Sequence, residues 1–212
     1  MTASPRVPVA LLVGIGVAAA ALGLARAADP AGDAARGRLL FEAKGCARCH
    51  IPRGLLPGIG PPLDVVRRPQ GVIELAGRLW NHAPGMAALF EREGLAWPEL
   101  GREQIADLVA YLQADPVRDP GADPRRGQVV LVAKGCLKCH RLRGEGGAVA
   151  TELTGYRARY ESPVGWATTV WNHSPRMARL AAAMGILYPR FTGDEMANLV
   201  EFLRGATAGS PR

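Results

Sequence analysis

The sequence predicts an all-α protein built from two tandem copies of one small helical domain, and three observations lead there. The stretch Arg36–His50 (RGRLLFEAKGCARCH) returns as Arg126–His140 (RGQVVLVAKGCLKCH), offset by 90 residues. Leu79–Met86 (LWNHAPGM) returns as Val170–Met177 (VWNHSPRM), offset by 91, so the register shifts by only one residue over the repeat. Apolar residues fall at helical spacing in each copy, and no stretch alternates as a half-buried strand does.

The elements follow in order. Leu39, Leu40 and Ala43 form an apolar stripe in the first copy, matched by Val129, Val130 and Ala133 in the second. Pro52–Pro62 (PRGLLPGIGPP) reads as a loop. Ser174-Pro175 has the chemistry of an N-cap and first turn, so a helix is expected to begin near Pro84 and Pro175 and to stop at Gly94 and Gly185. Ile105, Leu108, Val109 and Leu112 define a last helix, paralleled by Met196, Leu199, Val200 and Leu203. The copies span residues 29–114 and 125–206, with a linker rich in Asp, Pro and Gly at 115–124 and a tail at 207–212.

Residues 1–28 have the layout of a secretory signal: a charge at Arg6, the uncharged run Val9–Ala25, and small residues around Arg26. That run of 17 residues is at the lower limit for crossing a membrane, so a retained anchor is the alternative. Either case exports the chain. The formal charge of +7 falls to +5 without Arg6 and Arg26, which suits acidic protein partners or an anionic membrane face. The Lys and Arg residues are scattered, and export removes nucleic acid as a partner.

The chemistry lies in a motif that uses every cysteine of the chain. Cys46-Ala-Arg-Cys49-His50 and Cys136-Leu-Lys-Cys139-His140 are both Cys-x-x-Cys-His, the attachment pattern of a c-type haem. Two thiols reach the two vinyl groups on one porphyrin edge, and the next imidazole turns under the ring to the iron. A zinc site or a redox dithiol needs no histidine after each pair. Two covalent haems c are therefore expected, with His50 and His140 as proximal ligands. A domain of about 80 residues buries little surface alone, so each haem supplies core, and the apo-protein is expected to be largely unfolded.

Each copy resembles a class I cytochrome c domain. The resemblance rests on Gly37 and Phe41 ahead of the first motif (Gly127 and Leu131 in the second), the motif itself, a loop, and a last helix ending in Tyr111-Leu112 or Phe202-Leu203. It implies that first and last helices cross at Gly37 and Tyr111. Gly60-Pro61-Pro62-Leu63 resembles the family loop whose carbonyl accepts from the proximal histidine. Ala150-Thr151-Glu152-Leu153 stands there in the second copy without a proline, which implies a less rigid loop and unequal potentials.

For the sixth ligand the resemblance favours Met86 and Met177; the alternative is His82 and His173, four residues earlier. The methionines could also be helix core, and the histidines or the Trp80 and Trp171 indoles could bind haem propionates. Family members often place the methionine just before a proline near the last helix. Here Trp97-Pro98 and Tyr188-Pro189 stand there, and a short extra helix after each methionine accounts for the change.

The function expected is single-electron transfer between redox partner proteins in the bacterial periplasm or at the membrane surface, as a carrier or as a subunit of a membrane respiratory complex. Lys44, Arg48, Lys134 and Lys138 are candidates for steering an acidic partner. The alternative is a dihaem enzyme, a peroxidase or sulfur-compound oxidoreductase. The near-identity of the two distal segments argues against it, because a catalytic iron needs its own open site and acid–base group.

Overall fold

A computed structural model describes residues 29–55 and 58–208. The first half comprises α1 (Ala34–Ala43), α2 (Leu63–Val66), α3 (Val72–Arg92) and α4 (Arg102–Tyr111). The second comprises α5 (Pro124–Ala133), the strands β1 (Arg141–Leu142) and β2 (Glu145–Gly146), α6 (Arg157–Tyr160), α7 (Pro163–Ala183) and α8 (Glu195–Ala206). The strands form one small antiparallel hairpin that the hydrophobic pattern does not announce. Residues 1–28, on which the expected signal or anchor falls, and the tail beyond 208 lie outside the described residues. Among the described residues no helix is long and apolar enough to cross a membrane.

Each half is organised by a crossing of its first and last helices. Asp33 starts α1 by accepting from the N–H groups of Ala35 and Arg36, and Asp123 starts α5 by accepting from Arg125, with Pro124 in the first turn. A Cβ on Gly37 would stand 2.0 Å from the Asp107 carbonyl oxygen of α4; on Gly127 it would stand 2.0 Å from that of Asn198 in α8. Only glycine admits so close an approach. Phe41 then packs on Tyr111 with ring centroids 5.5 Å apart.

The separate helix expected from Pro84 and Pro175 does not form. One 21-residue helix runs through each proline instead, as α3 and as α7. An internal proline costs a helix about 3 kcal/mol, but both proline segments are held on buried faces. Trp80, Ala83 and Ala87 anchor α3; Trp171, Ser174 and Pro175 itself are buried on α7. The helices end where expected, with Gly94 at φ +68° and Gly185 at φ +67°.

The two long helices pack against one another, and a pseudo-twofold set of contacts locks the halves together. The Trp80 indole N–H donates to the Pro189 carbonyl at 2.7 Å, and Trp171 donates to Pro98 at 2.8 Å. Asn81 pairs with both backbone groups of Phe191 (2.7 and 2.9 Å), as Asn172 does with Leu100 (2.8 and 3.1 Å). Trp97 stacks on Trp171 at 4.2 Å, and Trp80 on Tyr188 at 5.3 Å. These indole N–H groups are thus committed to the opposite half rather than left for a propionate.

The expected linker is part of the same device. Asp119 Oδ1 accepts from the N–H groups of Ile73 (2.6 Å) and Glu74 (3.3 Å) at the start of α3. Its counterpart 90 residues earlier, Asp29, sits at the start of α7, held by Arg102 Nη2 at 2.8 Å, by Ser162 Oγ and by the Val164 N–H. The residue preceding each half thus caps the long helix of the other half.

Candidate haem sites

The two attachment turns are built alike. After α1, Gly45 adopts φ +82°, which only glycine takes readily, and turns the chain into a 3₁₀ turn over Cys46–Arg48. Gly135, at φ +71°, does the same before Cys136–Lys138. The His50 and His140 amides close these turns on the carbonyls of Cys46 and Cys136, each at 3.0 Å. All four cysteines are half-buried. Burial pushes the Cys46 and Cys136 thiols up to about 11, which keeps them neutral.

The proximal imidazoles are oriented from behind. His50 Nδ1 lies 2.9 Å from the Pro61 carbonyl oxygen; because a carbonyl only accepts, Nδ1 carries the proton and Nε2 keeps its lone pair. Pro61 is the second residue of the Gly60–Leu63 loop, as the resemblance implies. The second half makes the same bond without a proline, from His140 Nδ1 to the Thr151 carbonyl at 2.8 Å. The loops are also tied at matching points, Gly60 N–H to the Cys49 carbonyl and Ala150 N–H to that of Cys139. The two loops therefore hold their histidines equally well, and the missing proline changes how the orientation is fixed rather than whether it is.

This donor set fits a c-type haem. Each half offers two thiols on one turn and an imidazole with Nε2 free. Beside Cys49, a cavity is lined by Gly45, Ile59, Leu89, Phe90 and Leu95, with the charged Arg48 and Glu93 also on its wall. The set does not fit a shared zinc site, since among the described residues no three His, Cys, Asp or Glu side chains gather to hold a metal.

The distal candidates lie on the long helices. His82 is exposed, with Nδ1 2.7 Å from the Arg78 carbonyl, and Met86 is partly buried against the core. His173 is half-buried, with its ring centroid 6.3 Å from that of His140. Burial, then the neighbouring His140, lowers its pKa from the ordinary imidazole value. Met177 is partly buried against the core. Of the cations expected to steer a partner, Lys134 is bound to Glu195 at 2.8 Å, whereas Arg48 and Lys138 are exposed beside the attachment turns.

The cytochrome c family model matches twice, over residues 34–114 and 124–207. The chain belongs to the cytochrome c family. Its two domains bind two covalent haems c through Cys46, Cys49, Cys136 and Cys139, and the protein is a dihaem c-type cytochrome of electron transfer. A search of the curated proteins finds no match.

Sequence reasoning missed the partners of the conserved-looking Trp-Asn pairs and of Asp29 and Asp119. A signal was present: the aspartates repeat at the offset of 90 of the haem motifs and the Trp-Asn pairs at 91, which is more than solvated loop residues require. Their partners lie 45 to 135 residues away in sequence, beyond the reach of any local pattern.

Proposed function

We propose that this dihaem cytochrome passes single electrons between protein partners on the periplasmic side of a bacterial envelope and is not itself an enzyme. The observation that carries the reading is the pair of matched attachment turns, each with its proximal imidazole held through Nδ1 so that Nε2 faces the iron. Two like centres in one interlocked body suit relay, whereas catalysis calls for one iron with its own distal chemistry. Arg48 and Lys138, exposed at the two turns, give an acidic partner a place to dock near each haem edge.

The test is a redox titration with stopped-flow reduction by a small acidic electron-transfer protein. Two one-electron steps and a second-order rate that falls with salt are expected. Rapid multiple turnover of peroxide or thiosulfate by the purified protein would assign it to the enzymes instead. Fractionation and N-terminal sequencing test the location: a start at Ala28 or Asp29 is expected for a cleaved signal, and an intact N-terminus in the membrane fraction for an anchored subunit.

A further inference from the structure

The two long helices present the same stripe, a histidine followed one turn later by a methionine, but the two halves set it differently against the haem pocket. In the second half the His140 and His173 rings have centroids 6.3 Å apart. Metal–imidazole bonds are about 2 Å and a ring centroid lies about 1 Å behind its nitrogen, so two imidazoles on opposite sides of one ion stand about 6 Å apart. The separation of these rings matches that of two imidazoles that would share one iron. The rest of the α7 stripe turns outward: Leu180 and Met184, which follow Met177, are 42 % and 45 % exposed.

The first half is arranged the other way. Here Leu89 and Phe90, on the turn after Met86, line the cavity beside Cys49. Phe90 reaches to 3.7 Å of where a Gly45 Cβ would be; its counterpart in the second half is Ala181. Met86 stands one turn before Leu89 and Phe90, about 5 Å along the axis, whereas His82 stands two turns before and about 11 Å away. Met86 is therefore the nearer of the two to the residues that line this cavity. His82 itself is exposed.

We propose that the two irons take different sixth ligands, His173 in the second domain and Met86 in the first. This rests on the dihaem reading above and departs from the matched methionine pair that the resemblance favours. Met177 and His82 are then packing and surface residues. A methionine ligand raises the reduction potential relative to a second histidine, so the first haem is the higher-potential centre, and electrons entering at the second pass on to the first.

The experiment uses the full-length, haem-loaded protein. Haem content, EPR of the oxidised form, and the far-red absorption that a thioether–iron bond gives are measured together. The expected wild-type result is two haems per chain, one bis-imidazole low-spin signal, and a far-red band of one-haem intensity. His173→Ala is expected to abolish the bis-imidazole signal and keep the band, with added imidazole restoring the signal. Met86→Leu is expected to lose the band and keep that signal, while Met177→Leu and His82→Ala leave both. Two haems with identical signatures, or loss of the band in Met177→Leu, overturns the ligand assignment alone. Fewer than two haems per wild-type chain overturns the dihaem reading and this assignment with it.

Discussion

Asp107 in the first half and Asn198 in the second occupy the same place at the helix crossing, and comparing them separates what the fold requires from what each copy has added. Both use a side-chain oxygen to accept the amide that opens their half, from Asp33 at 2.7 Å and from Asp123 at 2.8 Å. Only Asp107 also holds an arginine, with Arg36 Nε and Nη2 each at 2.9 Å. In the second half Arg126 pairs with Asp194 instead. The backbone amide needs an acceptor in both copies because it is partly buried; the charge is optional. The same division runs through the haem sites, where Pro61 and Thr151 both supply a carbonyl to the proximal histidine while their side chains differ.

Removing a haem breaks the comparison most severely. Cys46→Ala with Cys49→Ala is expected to leave one haem per chain and to lose most helical circular dichroism of the first half. The second half should lose stability as well, because Leu100 and Pro98 no longer hold Asn172 and Trp171. The mirror variant, Cys136→Ala with Cys139→Ala, should do the same to the second. A native-like spectrum without haem would show that the helices carry themselves.

The helix crossings come next. Gly37→Ala and Gly127→Ala each place a methyl against a backbone carbonyl 2.0 Å away, and each is expected to cost at least 3 kcal/mol in urea denaturation, the upper end of ordinary overpacking. Equal losses are expected, since the two contacts are the same. Asn81→Ala and Asn172→Ala each leave two partly buried backbone groups without a partner, for about 2 kcal/mol. A variant that separates the halves without unfolding either would show the lock to be a docking contact rather than part of one core.

The smallest effects are those of pH. Arg36 beside Asp107 holds that carboxyl below its usual range. The folded form therefore keeps the charge longer than the unfolded one, and stability present above about pH 4 is lost as pH falls through the folded value. Asp107→Asn copies the second half and should flatten the acid side of the stability curve only slightly, because Arg36 is well exposed. Asp119 has the opposite sign. Burial raises it to about 6, so the folded form binds the proton more tightly and stability falls as pH rises from about 4 to 6. Asp119→Asn should remove that slope while its side-chain oxygen still caps α3.

Much of the site was legible because it is covalent and local. A thiol pair and an imidazole must sit within five residues to grip one porphyrin, so Cys46–His50 and Cys136–His140 declare two haems without any folding argument. Gly37 and Tyr111 were legible through the resemblance, and the crossing they make is the one it implies. The proline-containing helices were not. Local propensity puts a helix start at Ser174-Pro175, and it is overruled because Trp171, Ser174 and Pro175 are buried on one continuous face of α7.

By itself the sequence determined the cofactor, its number and the duplication, and pointed to His50 and His140 as proximal ligands, since bonds between near neighbours and repeats along a chain are one-dimensional facts. Only the tertiary structure decided that each half caps and clamps the long helix of the other, and that the His173 ring stands 6.3 Å from that of His140. Those relations depend on where backbone carbonyls and rings arrive after two helices pack. A shared histidine and methionine at matching positions cannot say which face of a helix a fold will turn inward.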